Sequence, residues 1–172
     1  MVGTPAMKKI ARVVAVQLAL LLCTVAVARA QGTIKFKGGG HDQLKLHGKM
    51  VTPVPVGDLT ATEVQFLLEN DNGLIWHGTL QPGDLQGGKV VKFQDPTAKI
   101  GTGIRDGIAS AKVRQAHPND YRIYLTAYTD LSAATTAHMT ITFFLGPYEA
   151  LNTSDWIQKP YGWKLPPLPK AP

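Results

Sequence analysis

Residues 121–129, Tyr-Arg-Ile-Tyr-Leu-Thr-Ala-Tyr-Thr, alternate apolar and polar side chains with a period of two. The odd-numbered positions hold Tyr121, Ile123, Leu125 and Ala127, and the even-numbered positions hold Arg122, Tyr124, Thr126 and Tyr128. Successive side chains of a strand point to opposite faces of a sheet, so the pattern predicts a strand with one buried face and one exposed face. Such strands are typical of antiparallel sheets.

Similar runs precede and follow this strand, separated by Gly, Pro, Asn and Asp. They cover residues 43–49, 62–69, 74–80, 89–94, 107–115 and 137–145. Residues 70–73, Asn-Asp-Asn-Gly, predict a hairpin turn between the second and third of these runs. That hairpin is expected to direct Val64, Phe66 and Leu68 inward, together with Leu74, Trp76 and Leu80. Seven short strands with regular turn signals predict an all-β sandwich or barrel over residues 41–146.

Aspartates recur between the predicted strands. They are Asp58, Asp71, Asp84, Asp95, Asp106, Asp120 and Asp130. An aspartate side chain accepts hydrogen bonds from backbone N–H groups two positions on, so these residues are interpreted as turn formers. Calcium binding around residues 70–72 is the alternative, because carboxylate and amide oxygens are hard ligands.

The run Y-x-I-x-L-x-A at residues 121–127, preceded by Pro118-Asn119-Asp120, resembles strand F of immunoglobulin and fibronectin type III sandwiches. The resemblance implies that the Tyr121 hydroxyl bonds back to the backbone and that Trp76 is a core residue. The family's paired cysteines are missing. Residues 42–48, 64–73 and 130–135 also look like segments of exported bacterial β-sandwich domains. We therefore expect an immunoglobulin-like antiparallel β-sandwich of about seven strands.

The first thirty residues resemble a secretory signal peptide. Lys8, Lys9 and Arg12 precede the apolar run 13–27, and Ala28-Arg29-Ala30 forms an A-x-A cleavage site. Cleavage predicts an exported protein, periplasmic or extracellular, with residues 31–40 as an N-terminal strand and glycine linker. The product would have no transmembrane anchor, because no second apolar run is long enough to span a bilayer.

Removing 30 of the 172 residues leaves 142, a single domain of ordinary size. Four of the 18 basic residues leave with the signal, so 14 remain against 12 acidic residues, a net charge of +2. This modest charge does not favour nucleic-acid binding. Cys23, the single cysteine, also lies in the signal. The mature chain therefore has no disulfide and no cysteine nucleophile.

The chain lacks the residue patterns that mark catalysis or cofactor binding. Its mature part holds three serines, none in a G-x-S-x-G motif, and five histidines without metal-ligand spacing. Glycoside hydrolysis would need Glu63 paired with a neighbouring aspartate, whereas isolated surface acids are the simpler interpretation. Gly38-Gly39-Gly40 is not followed by the G-K-S/T of a phosphate loop. We predict no catalytic residue, no metal and no cofactor.

Aromatic residues give the only indication of a ligand. Tyr124 and Tyr128 share the outward face of one strand with Arg122, and the C-terminal residues 147–172 hold Trp156 and Trp163 among prolines. Tyrosine and tryptophan rings can stack on a sugar or on a partner's side chains. The alternative is that this aromatic, proline-rich tail folds back over the sheet.

These observations predict an exported, non-enzymatic binding or structural domain. One alternative is a carbohydrate-binding module that uses Tyr124, Tyr128, Arg122, Trp156 and Trp163. The other is a subunit of a cell-surface assembly, joined by the tail or by residues 33–37 through strand addition. By default, residues 33–37 would instead be an edge strand of their own domain. The expected partners are a polysaccharide or a cell-envelope protein.

Overall fold

The computed structural model describes residues 27–166 as two antiparallel β-sheets packed face to face. Residues 1–26, most of the expected signal peptide, and residues 167–172 lie outside the described residues. The strands are β1 (Val27–Lys35), β2 (Asp42–Val51), β3 (Val64–Asn70), β4 (Gly73–Leu80), β5 (Gln86–Gly87), β6 (Val90–Gln94), β7 (Ile108–His117), β8 (Asp120–Thr129), β9 (His138–Leu145), β10 (Tyr148–Asp155), β11 (Ile157–Lys159) and β12 (Gly162–Leu165).

One sheet has eight strands in the order β11-β12-β1-β2-β8-β7-β6-β5, and the other has four in the order β10-β9-β3-β4. The predicted all-β sandwich is therefore confirmed. All seven strands predicted within residues 41–146 are present, as β2, β3, β4, β6, β7, β8 and β9. The described residues add the two-residue β5 inside that range and β10, β11 and β12 after it, and β1 overlaps the N-terminal strand expected within residues 31–40.

The core lies between the sheets and consists of the apolar side chains on the inward face of each strand. On β8 the predicted inward residues are all buried, and on β9 the alternation from Met139 to Leu145 is likewise buried. Val64, Phe66 and Leu68 of β3 have no exposed surface. Strand period and turn spacing were sufficient to identify these residues, since each strand has one face toward the opposing sheet.

The prediction that Leu74 faces inward is wrong. Leu74 is 58 % exposed, whereas its neighbour Ile75 is 9 % exposed. The reason is an irregularity in the β3–β4 hairpin, where Leu68 pairs with Trp76 while Glu69 pairs with Leu74. The extra residue on β4 acts as a β-bulge, so the side chains between it and the turn point to the opposite face from the one that the alternation predicts. Trp76 and Leu80 lie beyond it and are buried as predicted.

The N-terminal strand is interior and not at an edge. β1 pairs with β2 on one side and with β12 on the other, so residues 33–35 have hydrogen-bonded neighbours in both directions. β1 begins at Val27 and thus includes residues 28–30, the expected cleavage site. The alternative role of this segment, strand addition to another molecule, has no open edge available at residues 33–35.

The C-terminal segment continues the sandwich beyond residue 146. β10 pairs with β9 in the four-stranded sheet, and β12 pairs with β1 in the eight-stranded sheet. Trp156 is 3 % exposed and Trp163 is 8 % exposed, so both rings lie in the core. The indole N–H of Trp163 donates to the carbonyl of Ala134 at 2.7 Å. The aromatic content of the tail therefore reflects its packing inside the domain.

Two glycines allow aromatic rings to approach the eight-stranded sheet closely. A Cβ on Gly48 would lie 2.6 Å from the Phe143 ring, and one on Gly32 would lie 2.5 Å from the Trp156 ring. Any side chain at either position would displace a buried ring. These contacts fix how β9 and the residue after β10 sit on the opposing sheet.

Three of the seven aspartates predicted as turn formers make the expected bond. Carboxylates of Asp58, Asp95 and Asp130 accept the backbone N–H two residues on, at 2.8 to 3.0 Å. Asp42 is buried and joins two loops, since it accepts from the N–H groups of Lys37 and Leu131. These bonds satisfy donors that the strand ladders leave free.

Tyr121 ties three segments together at one end of the sandwich. Its hydroxyl donates to the Pro118 carbonyl at 2.9 Å and accepts from the Val56 N–H at 2.7 Å. The first bond is the return to the backbone that the resemblance implied. Trp76 is 6 % exposed, and its indole N–H donates to the carbonyl of Asp106 at 3.0 Å.

Replacing Tyr121 with Phe should lower the free energy of unfolding by about 1 to 3 kcal/mol, because the buried N–H of Val56 would lose its acceptor. Urea unfolding followed by tryptophan fluorescence measures the change. Tyr161→Phe is the matched control, since Tyr161 is 79 % exposed. Equal stability of the two variants would show that the Tyr121 hydroxyl contributes nothing to the fold.

Candidate ligand-binding face

The outward side of the eight-stranded sheet, which we call the basic face, carries rows of cations. In antiparallel strands, directly opposed residues place their side chains on the same face about 5 Å apart. The register therefore forms a first row across four neighbouring strands, β1, β2, β8 and β7: Arg29, Lys49, Arg122 and Arg114. Arg29 precedes the expected cleavage site, so cleavage would leave the other three.

Two further rows lie beside the first. The second consists of Gln31, His47, Tyr124, Lys112 and Lys92. The third consists of Lys164, Thr33, Lys45, Thr126, Ser110 and Gln94. The rows join cations to hydroxyl, amide and imidazole groups over six strands.

The cross-strand pairs of the first row are electrostatically unfavourable. Like charges directly opposite one another destabilise a sheet, and here each cation has another cation beside it. Among the described strands of this sheet, Asp120 carries the only outward carboxylate, and it forms an ion pair with Lys49 at 2.8 Å. The repulsion within the row is therefore mostly uncompensated by the protein itself. Such local conflicts are expected at functional sites.

Tyr124 occupies the centre of the basic face, between two neighbouring side chains. Its ring stacks on His47 with centroids 4.3 Å apart and planes 10° from parallel. On the strand at its other side, the Lys112 ammonium lies 4.1 Å from the ring centroid. Both sides of the ring are thus covered by protein groups. The sequence suggested a ring free to stack on a sugar, whereas the structure leaves only the ring edge and hydroxyl for a ligand.

Tyr128 lies on the same outward face, as predicted with Arg122 and Tyr124. Its hydroxyl accepts a hydrogen bond from the Gln43 side-chain amide at 2.6 Å, and the Lys37 ammonium lies 5.2 Å from its ring centroid. The predicted site residues of β8 therefore belong together. Trp156 and Trp163 do not join them, because both rings point into the core.

Four shallow depressions adjoin one another on the basic face. The largest, about 530 Å³, lies across β12, β1, β2 and β8 and is bordered by Lys45, His47, Tyr124 and Lys164. The other three measure about 240, 270 and 390 Å³. His47, Tyr124, Thr126 and Lys45 each line more than one of the four. Together they form a continuous uneven surface suited to an extended ligand.

Sequence reasoning missed most of the cations in this site. The missed residues are Arg29, Lys45, Lys49, Lys92, Lys112, Arg114 and Lys164. Each lies at one of the outward, polar positions of its own strand, and the alternation in the sequence was enough to identify those positions. Their convergence depends on the order of strands in the sheet, which pairs β2 with β8 and β1 with β12.

The four-stranded sheet has the opposite character. β3, β4, β9 and β10 contain no Lys or Arg, and their outward positions include Glu69, Glu149 and Asp155. Asp155 lies 2.8 Å from the Nδ1 atom of His138, and this hydrogen bond raises the pKa of His138. The two outer faces of the sandwich are therefore oppositely charged.

Within residues 27–166, no three His, Cys, Asp or Glu side chains converge as metal ligands. His47 and His77, two histidines on outward faces, lie on different sheets. The same part of the chain contains no helix long and apolar enough to cross a membrane. The chain matches no protein-family model, no curated protein and no solved structure.

His47 should titrate below its ordinary pKa of 6.5, because partial burial, Arg122 and Lys112 all disfavour the imidazolium form. NMR titration should show His47 below 6.5 and His138 above it. The folded state resists protonation of His47, so the stability that this group contributes is complete above pH 6.5 and decreases below it.

Arg122→Gln should raise the pKa of His47 toward its ordinary value, because it removes a nearby positive charge. Lys89→Gln is the control for charge, since Lys89 precedes β6 and lies outside the rows. A His47 pKa at or above that of His138 would contradict the electrostatic description of the face.

Proposed function

We propose that this protein is an exported, non-enzymatic domain that binds polysaccharide on its basic face. The observation that carries the proposal is the continuous set of depressions around Tyr124, lined by hydroxyl, amide, imidazole and ammonium groups. Polysaccharides offer many hydroxyl groups along an extended chain. A broad surface of donors and acceptors matches them better than it matches a small enclosed ligand, for which deep apolar pockets are usual.

Export is supported by the charged start, the apolar run and the A-x-A site, and leads to the periplasm or the extracellular space. The Tyr121–Pro118 hydrogen bond supports the finer proposal that the sandwich is related to immunoglobulin and fibronectin type III domains. Binding without catalysis is supported by the single outward carboxylate of the described basic face, Asp120, which is engaged by Lys49. Glycoside hydrolysis uses two carboxyl groups across the bond.

The protein, produced from its full-length sequence, should be retained by at least one polysaccharide in a panel of insoluble and gel-embedded glycans. Tyr124→Ala should weaken retention roughly ten-fold, because it removes the ring that positions His47 and Lys112. Tyr161→Ala, at an exposed tyrosine of the β11–β12 turn that lines none of the four depressions, should bind as the native protein does. Near-UV circular dichroism checks that both variants fold. Retention unchanged by Tyr124→Ala would exclude this site.

A subunit of a surface assembly is the second candidate, favoured by the opposite charges of the two outer faces. The joining elements first suggested, residues 33–37 and the tail, are used inside the domain by β1, β10 and β12. The basic face of one copy is instead complementary to the acidic sheet of another. Repeated head-to-tail contacts of this kind form chains of molecules.

For this second candidate, the average mass in sedimentation should rise with concentration at low salt and return to that of the monomer at high salt, where surface charges are screened. Glu69→Lys combined with Glu149→Lys should abolish the rise, since both residues lie on the outward side of the four-stranded sheet. The Gln substitutions at the same positions are the matched control and should weaken it less. A monomer at all salt concentrations would contradict assembly.

A further inference from the structure

The basic face contains many more cations than a neutral glycan would need. Among the described residues, the outward positions of its three rows hold eight Lys or Arg side chains, seven of which would remain after cleavage at residue 30: Arg29, which cleavage would remove, and Lys45, Lys49, Lys92, Lys112, Arg114, Arg122 and Lys164. All except Lys112 are exposed. The single facing carboxylate, on Asp120, neutralises one of them.

We infer that the polysaccharide bound here is a polyanion whose carboxylate or sulfate groups follow the cation rows across the strands. This inference rests on the proposed function and adds the chemical class of the ligand and its direction on the sheet. Acid groups placed between Lys49, Arg122 and Arg114 would relieve the repulsion that the register imposes on them. A neutral chain would leave that repulsion in place.

The spacing of the first row suits a repeating acid. Neighbouring strands lie about 4.8 Å apart, so a polymer crossing β2, β8 and β7 meets a new cation at each strand. Arg122 and Arg114 can each hold a carboxylate through two parallel N–H bonds. The second row then offers Gln31, Tyr124 and Lys112 to hydroxyl groups beside the acid.

Other polyanionic partners fit this face less well. Single-stranded nucleic acids bind to platforms of aromatic rings on which bases stack, whereas the Tyr124 ring is covered by His47 and Lys112 on its two sides. Proteins that bind anionic membranes insert apolar side chains into the interface, in addition to placing cations near the lipid headgroups. The three rows contain no large aliphatic side chain, and two isolated residues border their ends: Val90 beside Arg114 and the 47 % exposed Ile157 beside Lys164.

Protonation of His47 should make polyanion binding stronger at lower pH. The charged groups around it come from every neighbouring strand: Arg29 on β1, Lys45 and Lys49 on β2, Arg122 on β8 and Lys112 on β7. All are cationic, so the free protein disfavours protonation of His47 and a bound polyanion favours it. Binding should therefore strengthen as the pH falls from 7.5 toward about 5.5.

The test compares two polymers with one backbone. Polygalacturonate carries a carboxylate on each sugar, and its methyl ester is neutral. Isothermal calorimetry with the native full-length protein at low salt should give at least ten-fold tighter binding to polygalacturonate. The Kd for polygalacturonate should rise steeply with salt, because neutralised charges release counterions. Arg122→Gln should lower the slope of log Kd against log salt by about one, whereas Lys89→Gln should leave it nearly unchanged.

Each outcome separates the inference from the proposed function. Equal binding of the acid and its ester, with no salt dependence, would overturn the polyanion and leave polysaccharide binding intact. Failure to bind any glycan in the panel would overturn both. Tighter binding to single-stranded DNA or to phosphatidylglycerol vesicles than to polygalacturonate would overturn the choice of glycan. Equal effects of Arg122→Gln and Lys89→Gln would show general charge attraction without a site.

Discussion

The ladder between β2 and β8, from Asp42 opposite Thr129 to Val51 opposite Asp120, is the interaction on which the rest of the structure depends. The inward side chains of these two central strands include Leu44, Leu46 and Tyr121. Their outward side chains include cations of the basic face. A slip of one residue would turn every side chain of a strand to the other side of the sheet. Hydrophobic packing on one side therefore determines where charge lies on the other.

Gly48 explains why the slip does not occur. It lies between His47 and Lys49, and only a residue without a side chain leaves room for the Phe143 ring from the opposing sheet. Moving a lysine or histidine into this position would place a charged or polar chain against that ring, which is costly in a dry core. The register of the basic face is in this sense specified by an aromatic contact on the far side of the strand.

Most of the fold was predictable from the sequence because its information is local. Alternation identified the core residues of β8 and β9, and the residues of the β3–β4 turn identified that hairpin. The bulge that exposes Leu74 was not predictable, since nothing in the run 74–80 departs from strand composition. The sequence left the place of the tail open for a related reason: Trp156 and Trp163 fill gaps that exist only after the two sheets have assembled.

The candidate site was predictable only in part. Arg122, Tyr124 and Tyr128 were found because they share one strand, whereas Lys45, Lys49 and Lys164 come from strands distant in sequence. Net charge also concealed them. Apart from Asp42 and Asp120, the acidic residues that balance the total lie in turns or on the four-stranded sheet, so an average over the chain says little about the field at either face.

The pairing of β1 with β12 has a consequence for how the chain reaches its final state. Gly32 lies opposite Leu165 in the antiparallel register, so the first and last described strands lie side by side in the sheet. This contact cannot form until residues 162–165 have been synthesised. Pairings between such distant segments also have a large entropic cost of closure and are slow to form. Until residues 162–165 have been made, β1 is therefore an open edge of the eight-stranded sheet, with backbone groups free to pair with another chain.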